Sequence, residues 1–156
     1  MNIQFVPLRW RDALAVARWR YPEPYAYYNG ALAPMLSIVI VQIGLRATRR
    51  PVYYSVLGSA EELVGIFSFV RNGPIIEIGL GMRPDLTGNG DGLAFVAAGL
   101  DFARRSFRPS HFRLDVARFN ERAIRVYERS GFVPTREFER AVGDKRYAFV
   151  EMQREA

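Results

Sequence analysis

Residues Arg83–Val96 read RPDLTGNGDGLAFV. An apolar alternating run, Ile75–Met82, precedes this stretch, and Gly92–Phe107 continues from it at helical period. Leu93, Val96, Ala97, Leu100 and Ala103 predict one apolar stripe on that helix. Gly88, Gly90 and Gly92 crowd the junction, where a plain turn needs fewer glycines. A residue without Cβ lets the backbone come close to a ligand. A helix N-terminus presents unpaired N–H groups and partial positive charge. Strand, glycine loop and helix therefore outline a phosphate cradle.

Working outward, Val52–Leu57 and Leu63–Val70 read as strands joined by a turn around Gly58–Glu62. Asn72-Gly73-Pro74 is a strong turn signal. Phe112–Ala117 predicts a strand, and Asn120–Ser130 a helix with Asn120 as N-cap and Gly131 as stop. Val133–Arg140 and Lys145–Met152 predict a closing hairpin around Gly143-Asp144. On the N-terminal side, Asn2–Pro7 suits a short strand and Arg11–Trp19 a helix. RYPEPYAYYNG (Arg20–Gly30) is broken by two prolines and carries four tyrosines. Ala31–Arg50 is read as loop and short helix, with SIVIVQIGL as an alternative strand. Antiparallel strands come first, then strand-helix-strand-helix-strand-strand. This order predicts an α/β (α+β) fold with a mixed sheet and helices on its faces.

The 156 residues suit one domain, 1–156, with 49% hydrophobic and 24% charged residues. No apolar run has the length of a membrane span, and MNIQFVPLRWRD lacks the plan of a signal peptide. A soluble cytoplasmic protein without a membrane partner is expected. There is no cysteine and one histidine, His111. Thiolate sites, a cysteine nucleophile and a multi-histidine metal centre are excluded, so no metal is expected. His111 is read as a surface residue at a strand start. The net charge is +6, carried almost wholly by arginine, with Lys145 the only lysine. An anionic partner and a compositional bias both account for that. No long run of like charge suggests a nucleic-acid tail, so a nucleic-acid partner is not expected.

The loop fails two phosphate motifs. A P-loop needs lysine and Ser or Thr after its last glycine, and Leu93-Ala94 follow Gly92. The dinucleotide fingerprint needs a third glycine where Leu93 stands. In contrast, Thr87-Gly88-Asn89-Gly90-Asp91-Gly92 resembles the Arg/Gln-x-x-Gly-x-Gly/Ala pyrophosphate loop of the GNAT superfamily of N-acetyltransferases, except at its first position. NERAIRVYERSGF (Asn120–Phe132) is, on its own, an amphipathic helix with a tyrosine in its apolar stripe. Its Asn-x-x-Ala-x-x-x-Tyr-x-x-x-Gly-Phe spacing is similar to the second motif of the same superfamily. It follows the glycine loop by one helix and one strand, as that family requires. The resemblance covers Ile75–Val133 well.

The resemblance implies a single-domain, mostly antiparallel sheet of about six to seven strands with helices on both faces. It implies acetyl-CoA as cosubstrate, with Thr87, Gly88, Asn89, Gly90, Asp91 and Gly92 at the pyrophosphate. Asn120 would bond the pantetheine arm as it runs beside Leu80 and Met82. Tyr127 would protonate the departing thiolate. Thr87 stands where the family has arginine or glutamine, which leaves one phosphate contact unassigned. Ile76, Ile78, Leu80 and Met82 share one strand face; Glu77, Gly79, Gly81 and Arg83 share the other. The two glycines mark a bulge or a close neighbour. Glu77 is then a candidate base for the acceptor, with a solvated or ion-paired glutamate the plain alternative. Arg122, Arg125 and Arg129 read as a solvated stripe, with an adenosine-phosphate contact from Arg122 as the alternative.

The first helices and their loop often wall the acceptor site in this superfamily. That directs attention to Tyr21, Glu23, Tyr25, Tyr27 and Tyr28, with aromatic faces and one carboxylate for a cation. The expected activity is acetyl transfer from acetyl-CoA to a primary amine on a small molecule, peptide or protein, by direct attack. A monomer or homodimer is expected. The rivals are a non-catalytic acyl-CoA-binding regulatory domain and a basic nucleic-acid-binding module.

Overall fold

The computed structural model describes residues 2–31, 51–142 and 144–156. Its elements are β1 (Gln4–Pro7), α1 (Trp10–Ala17), α2 (Tyr27–Ala31), β2 (Val52–Leu57), β3 (Leu63–Asn72), β4 (Ile75–Met82), α3 (Gly92–Phe107), β5 (His111–Ala117), α4 (Glu121–Arg129), β6 (Val133–Val142) and β7 (Lys145–Glu155). The seven strands form one sheet in the order β1-β2-β3-β4-β5-β7-β6. Every neighbouring pair is antiparallel except β4–β5, whose strands are joined by the α3 crossover. This is the mixed, mostly antiparallel sheet expected above. No helix among the described residues is long and apolar enough to cross a membrane. The loop, helix or strand readings for Ala31–Arg50 fall, beyond Ala31 itself, outside the described residues.

Side-chain alternation sends Phe67, Phe69, Ile76, Ile78, Phe112 and Leu114 to one face, where they form the main core with α3. α3 buries Phe95, Val96, Gly99, Leu100 and Ala103. Of the predicted stripe Val96, Leu100 and Ala103 are buried, but Leu93 and Ala97 are exposed, and Phe95 and Gly99 take their place. The cause is aromatic packing. The Phe67 ring lies so close to α3 that a Cβ at Gly99 would stand 2.2 Å from it. Phe67 also meets Phe95 at 5.0 Å and Phe69 at 5.7 Å between ring centres. Burying rings of this size outweighs a helix stripe chosen from small aliphatic residues. α4 lies on the same face, with Ala123, Val126 and Tyr127 against the core.

α1 covers the opposite face. Val16 and Trp19 pack on Ile66. Its polar anchor is Asp12, only 5% exposed, which accepts from the Ser55 hydroxyl at 2.7 Å and pairs with Arg9 at 2.5 Å. Burial alone would raise the Asp12 pKa, but the bonds from Arg9 and Ser55 outweigh it and hold the carboxyl below its ordinary value. A carboxyl lowered by folding stabilises the protein above the ordinary carboxylate range and loses that effect as pH falls through the lowered value. Asp12→Ala is therefore expected to cost about 1–3 kcal/mol near neutrality. The gap from wild type should close in acid. Urea unfolding at about pH 7 and in steps down to about pH 2, below the ordinary carboxylate range, measures it; a gap that does not narrow on the way down would mean that packing, not charge, makes the contribution.

Candidate functional site

The site begins where a strand pair ends. β4 and β5 pair only through Ile75–His111, Ile76–Phe112 and Glu77–Arg113. Beyond that point each strand is held on its outer side alone, β4 by β3 through Met82 and β5 by β7 through Ala117. The two diverge into a fork. The Arg83 amide donates to the Val64 carbonyl. Backbone groups alternate sides along an antiparallel strand, so those of Ile78, Leu80 and Met82 face the open fork. A cavity of about 470 Å³ fills it, walled by Ile78–Met82, Leu114–Val116, the glycine loop and α4.

The glycine loop closes one end. Gly88 and Gly90 have φ of 88° and 91°, a region that side chains rarely adopt. A Cβ at Gly90 would meet nothing within 4 Å. Its glycine is demanded by conformation and leaves the approach open. Gly92 differs: a Cβ there would press on Val126 of α4 at 3.3 Å. No side chain caps the N-terminus of α3, so its first amides keep their capacity for an acceptor. Thr87 donates its hydroxyl to the Pro84 carbonyl at 2.7 Å, spending it on the preceding turn. Asn89 and Asp91 are exposed and do not line the cavity; only their backbone belongs to the loop.

A cation does reach the loop, and it is Arg122, which the sequence offered only as the alternative to a solvated stripe. A Cβ at Gly88 would lie 3.6 Å from an Arg122 guanidinium nitrogen. Arg122 lines the cavity and stacks on the Tyr25 ring at 4.4 Å. The solvated-stripe reading is thus corrected for Arg122. Arg129 also lines the cavity, whereas Arg125 pairs with Glu121 on the outside. Helix spacing alone put all three on one side. Only the packing of α4 beside the loop separates them.

Asn120 and Tyr127 both line the fork. Asn120 caps α4 by accepting from the Ala123 amide at 3.2 Å, and its amide group donates to the Tyr28 hydroxyl at 3.1 Å. Tyr127 lines the cavity with its ring against Phe132. Burial pushes the Tyr127 phenol well above its ordinary pKa, and the neighbouring Tyr28 adds to this. Burial also raises Tyr28, partly offset by the bond from Asn120 and by the Ala117 backbone.

The Tyr21–Tyr28 segment roofs the fork. The Tyr21 hydroxyl donates to the Met82 carbonyl at 2.8 Å, one of the fork-facing groups of β4. Burial pushes Tyr21 up to about 12, with Arg122 pulling the other way. Asn29 holds the segment in shape by bonding both backbone groups of Tyr21. Gly79 and Gly81 mark close neighbours and no bulge. The β3–β4 register runs unbroken, with Ser68 against Gly79 and Tyr21 against Gly81. Tyr21, Tyr25 and Tyr28 line the cavity, while Glu23 is exposed and does not. Tyr27 instead joins Tyr147, Phe119 and Phe149 in an aromatic cluster. Glu77 lies at the last closed pair of the fork, ion-paired with Arg113 and outside the cavity lining. His111 is exposed at the start of β5, next to the Ser110 hydroxyl.

Comparison with known proteins agrees with this geometry. The sequence matches the family model of the acetyltransferase (GNAT) domain over residues 2–133, which reaches well into the N-terminal part. No curated protein matches it. The fold is similar to that of a chimera of the Vibrio cholerae spermidine N-acetyltransferase SpeG and hSSAT. The TM-score is 0.80 at 16% identity, covering 98% of this chain and 95% of that one. It is similar also to the spermidine N-acetyltransferase from Vibrio cholerae in complex with CoA and spermine. There the TM-score is 0.74 at 16% identity, with 98% and 95% covered. At such identities the likeness is one of fold. The splayed strand pair, the glycine loop and the Tyr127 phenol share one cavity, and the family match over most of the length shows that this protein belongs to the GNAT acetyltransferase family.

Proposed function

We propose that the chain transfers an acetyl group from acetyl-CoA to a primary amine. The observation that carries this is the convergence of glycine-loop amides, fork-facing β4 backbone and Tyr127 on one cavity. The residues fit the cosubstrate. Gly88, Gly90 and Gly92 offer amides to the pyrophosphate, and Arg122 supplies the cation that Thr87 does not. The backbone of Leu80 and Met82 and the Asn120 side chain suit an extended amide-bearing arm.

The chemistry follows from what is present. With no cysteine, no acyl-cysteine intermediate can form. The amine nitrogen attacks the thioester carbonyl carbon directly, and a fork-facing N–H of β4 is placed to stabilise the oxyanion. The C–S bond then breaks, and the departing sulfur takes the Tyr127 proton. The nitrogen gives up its own proton, which restores the phenol. Starting from the ammonium form, one further proton goes to solvent, so the balance is one proton released per acetyl transferred.

Acetyl-CoA and a panel of primary amines, followed with a thiol reagent, test the proposal without background because the chain has no thiol of its own. Amine-dependent thiol release is expected. Acetyl-CoA binding without release across the panel would instead indicate a regulatory acyl-CoA-binding domain.

A further inference from the structure

Resting on the acetyl-transfer reading, we infer that Asp115, held by Arg140, receives the acceptor ammonium, and that the cleft selects amines with one positive charge over polyamines. Alternation along β5 turns Phe112, Leu114 and Val116 into the core under α3 and leaves Arg113 and Asp115 on the other face. On that face the fork is still closed at Glu77–Arg113. Asp115 is the next side chain on β5, and it lines the cavity whereas Glu77 does not. It is the one carboxylate lining the cavity among the described residues.

Its neighbours fix its position and its isolation. Arg140 of β6 donates to the Asp115 carboxylate at 2.7 Å and is braced over the Phe149 ring at 4.5 Å. The nearby carboxylates lie outside the cavity lining and are ion-paired there: Glu77 with Arg113, and Glu151 with Arg113 and Arg136. Of the charged side chains of the cavity wall among the described residues, Asp115, Arg122 and Arg129, Arg122 is taken by the diphosphate, and Asp115 is the one negative group left to meet an acceptor. The N-terminal part offers no second carboxylate. Through Arg50 its only acidic residues are Asp12 and Glu23. Asp12 is buried against Ser55 and Arg9, and Glu23 is exposed outside the cavity lining.

A single ammonium finds one carboxylate here, with the aromatic faces of Tyr21, Tyr25 and Tyr28 for the rest of the molecule. Spermidine carries further ammonium groups, since alkyl amines stay protonated near neutrality. These have no second carboxylate to meet among the described residues of the cavity wall, and Arg140 beside Asp115 repels them.

The test uses the intact chain and initial rates of thiol release with phenethylamine and with spermidine. Phenethylamine should give a kcat/KM at least about tenfold higher. Asp115→Asn should raise the phenethylamine KM about tenfold or more and leave acetyl-CoA affinity unchanged, which also shows that the variant is folded. Asp115→Glu should recover part of the loss. Arg140→Gln leaves the carboxylate and removes a positive charge, so it should shift preference toward spermidine. Spermidine used as well as phenethylamine by the wild type overturns the inference, as does an unchanged amine KM in Asp115→Asn. Acetyl-CoA binding with no release for any amine overturns instead the acetyl-transfer reading, and this inference with it.

Discussion

Gly90→Glu raises the acetyl-CoA dissociation constant about 100-fold or more. Two losses combine. The glycine holds φ at 91° in open space, so a side chain strains the backbone that aims the loop amides. The carboxylate also brings like charge to a diphosphate, and hydrogen bonds to charged groups of about 1.5–3 kcal/mol each are weakened with it. Gly90→Ala carries the backbone strain without the charge, so it should show a smaller loss. Nothing lies within 4 Å of that Cβ, so both variants should fold. Isothermal titration of acetyl-CoA against the three proteins measures the effect. Wild-type affinity in Gly90→Glu would remove the loop from cosubstrate binding.

Tyr127→Phe lowers kcat by about 10² to 10⁴, the range for loss of a general acid, with acetyl-CoA affinity held within about twofold. The ring contact with Phe132 survives the substitution, so a loss of rate is not a loss of fold. Burial and Tyr28 hold the Tyr127 proton well above the ordinary phenol range. The wild-type rate should therefore show no decline from Tyr127 ionisation up to about pH 10. Single-turnover acetyl transfer with a saturating amine, measured across pH, checks both statements. An unchanged rate in the variant takes Tyr127 out of the mechanism.

Arg122 and Asp115 show why site residues are harder to read than elements. Local pattern carried the elements well: Val52–Leu57, Ile75–Met82 and Gly92–Phe107 have the expected boundaries. Alternation, helical period and Gly/Pro punctuation are properties of neighbouring residues, and they survive folding. The Asn120 cap was legible for the same reason. A short helix over Tyr27–Ala31 was not, because its role is to bring Tyr27 and Tyr28 onto residues far along the chain.

The order of elements and two spaced motifs pointed, before any coordinates, to the family and the mixed sheet that were found, and to the glycine-rich junction between β4 and α3. Those features are local in the chain, and they need only backbone geometry and the absence of a Cβ. Folding alone decided where β4 and β5 part company, and with it that Asp115 faces the cleft while Glu77 is closed off by Arg113. It also decided the rotation of α3 under Phe67 and the reach of Arg122 to Gly88. Each depends on strand register and on the packing of distant side chains, and neither leaves a periodic mark in the sequence.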